Sequence, residues 1–153
     1  MKLTYGAMMA FTENYCDMME SIDPEKDPRV RDTVRELFAP HFIARVGDPA
    51  KFQNREEWVD QLCGHAGKYR VKVIHRPLPY STMVDEQKKM AACFVKEQWK
   101  RPETGEVFTE FLLNMHLEFT LDCDVVKLKK VLISRVPSVF QVDVLPDRSS
   151  IEG

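Results

Sequence analysis

Three features of the sequence predict a single-domain α+β fold. Helical periodicity is confined to the part before residue 69, long two-residue alternation follows it, and turn residues divide that second part into a meander. Helices gathered ahead of antiparallel strands imply a sheet covered on one face by helices. Bent strongly around them, such a sheet becomes a cone whose inward side chains enclose a pocket. The expected boundaries are 1–145 for the domain and 146–153 for a loose C-terminal tail.

In the first helix Met8, Phe11, Tyr15, Met18 and Ile22 recur at intervals of three and four and so share one face. Asp23-Pro24 ends it, because the residue before a proline is driven out of helical geometry. Asp27-Pro28 offers a cap and a first-turn proline for a second helix, buried through Val30, Val34, Leu37 and Phe38 and stopped by Pro40. Residues 41–46 then alternate as a strand, with Phe42, Ala44 and Val46 on one face and His41, Ile43 and Arg45 on the other. A loop through Gly47-Asp48-Pro49 leads to a third helix, where Asn54 and Glu57 have the spacing of a capping box. Trp58, Val59, Leu62, Cys63 and Ala66 form its apolar side, and Gly64 and Gly67 mark its end.

From residue 70 the period is two. Val71, Val73 and His75 face one way, Arg70, Lys72 and Arg76 the other, while 77–83 contains two prolines and suits an irregular or edge strand. Residues 90–100 and 107–121 read as long strands joined by the turn Pro102-Glu103-Thr104-Gly105. Asp122-Cys123-Asp124 makes the next turn, and 126–136 is the last strong strand. Phe140, Val142 and Val144 either extend it or cover the pocket mouth.

Composition narrows the function. The chain has 153 residues, 44% hydrophobic and 30% charged, with a formal net charge of −2, which leaves no electrostatic footprint for nucleic acid. The basic run Lys127-Leu128-Lys129-Lys130 reads as a solvated strand face. No apolar run reaches the roughly 20 residues that span a bilayer, and the N-terminus has no basic start followed by an apolar stretch. A cytoplasmic protein with no membrane partner is expected. Cys16, Cys63, Cys93 and Cys123 are far apart and read as buried thiols. Neither they nor His41, His65, His75 and His116 show metal-ligand spacing. Gly-rich phosphate loops and the G-x-S-x-G elbow are absent, so no metal and no cofactor are expected.

This layout resembles the nuclear-transport-factor-two-like superfamily, which includes SnoaL-like cyclases, bile-acid dehydratases and scytalone dehydratase. Ser21-Ile22-Asp23 followed by Phe38-Ala39-Pro40-His41-Phe42-Ile43 is similar to the scytalone dehydratase pattern of Ser-Tyr-Asp and Ala-Pro. The resemblance implies a pocket Asp at Asp23 and a pocket His at His75, with the family's Ser and Asn pair falling on Asn114 and His116. It also departs from the pattern: Ile22 and Val46 stand where that family has tyrosines, and its second histidine falls near Trp99 or Lys100. Scytalone itself is therefore not the expected substrate.

Asp23 and His75 are the candidate catalytic pair, a carboxylate holding an imidazole that acts as base and then acid. The competing reading is that Asp23 only ends the helix and His75 is a core histidine. Glu97 and Trp99 face inward with Cys93 and Val95 by alternation, whereas the resemblance gives the opposite phase and a sheet-edge Glu97 paired with lysine stays open. Asn114 and His116 lie opposite the apolar stripe Phe111, Leu113, Met115, Leu117 and Phe119. Either that stripe is core beneath the helices and the mixed face lies at a dimer interface, or, as the resemblance implies, Asn114 and His116 bind substrate and the stripe is buried between subunits. A sheet-to-sheet homodimer is expected. Phe11, Tyr15, Phe42 and Trp99 would shape the cavity, and Arg135 falls near an arginine that holds an anion in some relatives, or else is a surface charge. The expected activity is cofactor-independent cyclisation, isomerisation or dehydration of a hydrophobic, polycyclic secondary metabolite. The alternative is a non-catalytic ligand-binding or dimerisation module of the same fold.

Overall fold

A computed structural model describes residues 2–22, 27–47, 51–69, 72–78, 81–101 and 103–136. The tail expected at 146–153 lies outside them. Helix α1 (Tyr5–Ser21) is capped by the Thr4 hydroxyl, which accepts from the Ala7 N–H at 3.2 Å. Its buried face is Met8, Thr12, Tyr15, Cys16 and Met19, with Phe11, Met18 and Ile22 half-buried along its flank. Thr12 is tolerated there because its hydroxyl donates to the Met8 carbonyl at 2.8 Å.

Helix α2 (Val30–Arg35) is shorter than its apolar spacing suggests. Asp27 caps the preceding turn by accepting from the Arg29 N–H at 2.9 Å, but Phe38, Ala39 and Pro40 belong to strand β1 (Phe38–Val46). Pro40 forces its predecessor into extended geometry, so the apolar pair before it enters the sheet instead of closing the helix. Phe42 and Ala44 are buried and His41, Ile43 and Arg45 exposed, the expected alternation. Strand β2 (Lys51–Asn54) falls in the expected loop; its four mostly exposed residues carry no apolar alternation to betray it. Helix α3 (Arg55–Tyr69) opens with the full capping box. The Asn54 N–H donates to Glu57 Oε1 at 3.0 Å, and the Glu57 N–H donates to Asn54 Oδ1 at 2.9 Å. Gly64 and Gly67 do not end this helix, which runs on to Tyr69.

The remaining strands are β3 (Lys72–Pro77), β4 (Met83–Asp85), β5 (Met90–Lys100), β6 (Val107–Asp122) and β7 (Val125–Arg135). They form one sheet in the order β2-β1-β7-β6-β5-β3, with β4 also on β5. The sheet is mixed, a correction to the antiparallel expectation: β1 runs parallel to β7, and all other pairs are antiparallel. Adjacent-strand turns allow only antiparallel pairs, whereas β2 to β6 and the helix α3 lie between β1 and β7 in sequence. The turn between β6 and β7 is a two-residue turn with Cys123 at φ 51° and Asp124 at φ 63°, the mirror-image geometry that matches strand twist. That turn leaves Cys123 exposed, which corrects its reading as a buried thiol; Cys63 is intermediate, and Cys16 and Cys93 are buried.

One face of the sheet carries the core. Phe42 and Ala44 of β1, Ala91, Cys93 and Val95 of β5, Leu113, Met115, Leu117 and Phe119 of β6, and Leu128 and Val131 of β7 are buried against α1 and α3. Helix α1 crosses this inner face closely enough to bring the Cys16 and Cys93 sulfurs to 3.9 Å. Helix α3 adds Trp58 and Val59.

Candidate active site

The inner face changes character along β5. Cys93 and Val95 are buried in the apolar wall, and the pleat continues unbroken to Glu97 and Trp99. Trp99 Nε1 donates to Glu97 Oε2 at 3.2 Å, which fixes the two side chains on one side of the strand. Trp99 also meets Phe111 edge-on, with ring centroids 6.4 Å apart, and Phe111 packs against the core. Arg135 completes the group, its guanidinium carbon 3.6 Å above the Phe111 ring. The apolar wall thus ends in a carboxylate, an indole and a guanidinium. Alternation, not the phase carried by the resemblance, gives the correct face for Glu97. Nor is Glu97 on a sheet edge, since β5 lies between β3 and β6.

His75 is described by its backbone, whose register sets it opposite Glu97. Asp23 lies outside the described residues, so the Asp23–His75 pair is not among the contacts that can be measured.

Asn114 and His116 stand on the other face, a correction to their expected place in the pocket. Their neighbours Leu113, Met115 and Leu117 are buried in the core, and the pleat sends alternate residues to opposite sides. Asn114 pairs with Phe94 and His116 with Ala92, again opposite the buried Cys93. The stripe from Phe111 to Phe119 is therefore interior, and any pairing of sheets must use the outer face. That face carries a continuous cross-strand row: Met83, Ala92, His116, Leu132, Arg45 and Phe52. Met83 at its β4 end and Phe52 at its β2 end are 65% and 67% exposed.

Of the aromatics expected to shape a cavity, Tyr15 and Phe42 are buried and Phe11 and Trp99 are partly buried. Phe11 meets Phe119 edge-on at 5.5 Å, Tyr15 meets Phe38 edge-on at 6.0 Å, and Phe38 lies 4.5 Å from Phe42. Burial pushes the Tyr15 phenol above its usual pKa, with the Trp58 indole opposing. Trp58, expected as part of the apolar side of the third helix, is buried there and carries an N–H donor into the interior. Among the described residues no group of three or more His, Cys, Asp or Glu side chains could hold a metal ion, and no helix is long and apolar enough to cross a membrane.

No protein-family model matches the sequence, and no curated protein matches it. Solved structures do match in shape. PrhC from Penicillium brasilianum NBRC 6234 is 16% identical and superposes over 84% of this chain and 80% of its own, with a TM-score of 0.64. An NTF2-like protein of unknown function from Exiguobacterium sp. 255-15 is 13% identical over 84% of this chain and 99% of its own, with a TM-score of 0.59. A protein from Catenulispora acidiphila, solved in complex with S-DNPA, is 14% identical over 85% and 94%, with a TM-score of 0.57. By its helices, its mixed open sheet and these superpositions, the chain shares the fold of these solved proteins, among them an NTF2-like one.

Proposed function

We propose that the protein is a cofactor-independent acid/base enzyme, a cyclase, isomerase or dehydratase, acting on a hydrophobic polycyclic metabolite held between α1, α3 and the inner face of the sheet. The observation that carries this reading is the passage of one strand face from Cys93 and Val95 to Glu97 and Trp99. A substrate packed on the apolar wall would meet ionisable groups where the wall ends. The Catenulispora protein, similar in fold, was solved in complex with S-DNPA, which supports the binding half of the proposal.

In this reading His75 moves the proton and Glu97, its register partner, stabilises the imidazolium. Asp23 is the second carboxylate that could serve His75. Arg135 binds an oxygen substituent while Trp99 and Phe111 pack on the ring system. Such reactions need placed proton donors and acceptors in a site sheltered from water.

A test that does not need the natural substrate is deuterium exchange into 2-tetralone in D2O, followed by mass spectrometry. The wild type should exchange above the buffer rate, and His75→Ala should lose a factor of about 10²–10⁴. Glu97→Gln and Asp23→Asn, each combined with His75→Ala, identify the partner: the true one adds little to the double mutant. Exchange at the buffer rate by the wild type, for ketones of one to four rings, would refute the enzyme reading.

The outer-face row favours a second role for the same fold, pairing of two copies sheet to sheet. Sedimentation at micromolar concentration should give a dimer that Phe52→Asp converts to monomer. A monomeric wild type would overturn this reading.

A further inference from the structure

Two thiols meet in the core. Cys16 of α1 and Cys93 of β5 are 2% and 1% exposed, and their sulfurs face each other at 3.9 Å where the helix packs on the sheet. The residues are 77 positions apart, so tertiary packing alone brings them together. Cys16 shares its face of α1 with the buried Met8, Thr12, Tyr15 and Met19, and Cys93 shares its strand face with the buried Ala91 and Val95. A buried cysteine commonly serves as a small apolar side chain, a role that alanine and valine fill on either side of Cys93. What sets these two apart is that each sulfur meets the other, as donor and acceptor of a weak S–H···S bond. A disulfide holds its sulfurs at about 2.05 Å, so these must approach by about 1.9 Å. Rotation of both side chains about their Cα–Cβ bonds produces movement of that order.

We propose that Cys16 and Cys93 form a latent disulfide that fastens α1 to β5 when the protein meets a hydroperoxide. In the first step one sulfur attacks an oxygen of the peroxide. The O–O bond breaks, an alcohol or water leaves, and the cysteine becomes a sulfenic acid. In the second step the other thiol attacks that sulfur, the S–OH bond breaks, water leaves and the S–S bond forms. Two electrons pass from the pair of thiols to the peroxide, and their two protons leave in the alcohol and water. Burial slows the first step, since the thiolate is the nucleophile and needs access; the second is favoured because the resolving thiol is already in contact. The device therefore answers to small peroxides and not to bulky oxidants. The new bond removes freedom from the unfolded chain over a long loop and so raises stability. It also holds α1 against the strand face that leads from Cys93 to Glu97. The inference does not rest on the acid/base reading.

The experiment treats the native protein with excess hydrogen peroxide, removes the peroxide with catalase, blocks free thiols and digests with trypsin without reduction. Mass spectrometry should find the peptides 3–26 and 90–96 joined and two hydrogens lighter than the separate pair. Dithiothreitol should release them. Peroxide should also raise the melting midpoint by roughly 5–15 °C. Cys16→Ala and Cys93→Ala should each abolish the link and that rise, and peptide mapping of the wild type carries the test alone if neither variant folds. Sulfinic or sulfonic acid at Cys16 or Cys93 without the link would overturn the proposal. So would both thiols staying reduced while Cys123 is fully oxidised, or a link that forms only in denaturant. A link that leaves the midpoint unchanged would overturn the fastening of α1.

Discussion

Met115 and His116 are sequence neighbours on opposite faces of β6, and replacing each by alanine tests which face is interior. Met115 is 1% exposed, belongs to the core cluster and lies in register between Cys93 of β5 and Ile133 of β7. Truncating a methionine so enclosed costs about 2–5 kcal/mol, because the helix and flanking strands cannot collapse fully into the space. At about 2–4 °C per kcal/mol for a chain of this size, the midpoint should fall by roughly 5–15 °C. His116 pairs with Ala92 and Leu132 on the outer face and is only partly buried. Its replacement should cost no more than about 0.5 kcal/mol in the monomer. The assay is urea unfolding followed by far-UV circular dichroism at two protein concentrations a hundredfold apart. An outer-face dimer would make the His116→Ala loss depend on concentration, while the Met115→Ala loss should not. Equal losses at low concentration, or a larger one for His116→Ala, would refute the face assignment and return Asn114 and His116 to the pocket.

Removing the α3 cap with Asn54→Ala should cost about 1 kcal/mol in the same assay, since the side chain satisfies the Glu57 N–H; no change would mean the box contributes nothing. Tyr15 predicts a pH effect at the alkaline end. Its folded pKa lies above the usual value near 10, so below pH 10 both states are protonated and the contribution is fully present. Above pH 10 only the unfolded chain releases the proton, and wild-type stability should fall by about 1.4 kcal/mol per pH unit more than that of Tyr15→Phe; parallel curves would contradict the burial of the phenol. Thiol labelling of the native protein should modify Cys123 first, with Cys16 and Cys93 reacting only once denaturant is added. Rapid labelling of all four would contradict the packing of α1 on β5.

Most element positions were legible because the local signals were strong. Residues 90–100 and 107–121 were delimited by a glycine turn at one end and an Asp-Cys-Asp turn at the other, and β5 and β6 match them to within a residue. Elements without a hydrophobic period were lost: β2 is mostly exposed, and the Phe38-Ala39 pair is apolar in a way that a helix end and a buried strand share. The parallel pairing of β1 with β7 could not be read locally, since it joins residues about ninety positions apart. For the site, alternation placed Glu97 and Trp99 correctly where the borrowed phase did not. Asn114 and His116 lie on the outer face, because the apolar stripe that alternates with them is the interior half of β6. Trp58 and Tyr15 share no motif and stand on different helices, so their proximity is set by tertiary packing.

The position of Glu97 is itself an argument about function. A carboxylate continuing an apolar strand face is costly unless something stabilises its charge, and here the Trp99 indole donates to it directly. Hydrogen-bonding on both flanks, to β3 and β6, fixes its backbone, and Arg135 stands over Phe111, its register partner on β6. Nothing in core packing requires this group: Val95, one step earlier on the same face, is 1% exposed without any polar help. A solubility role would place the charge on the outer face beside Lys96 and Gln98. Holding a carboxylate on the inner face at the end of a buried wall is the arrangement that the proposed proton transfer would use.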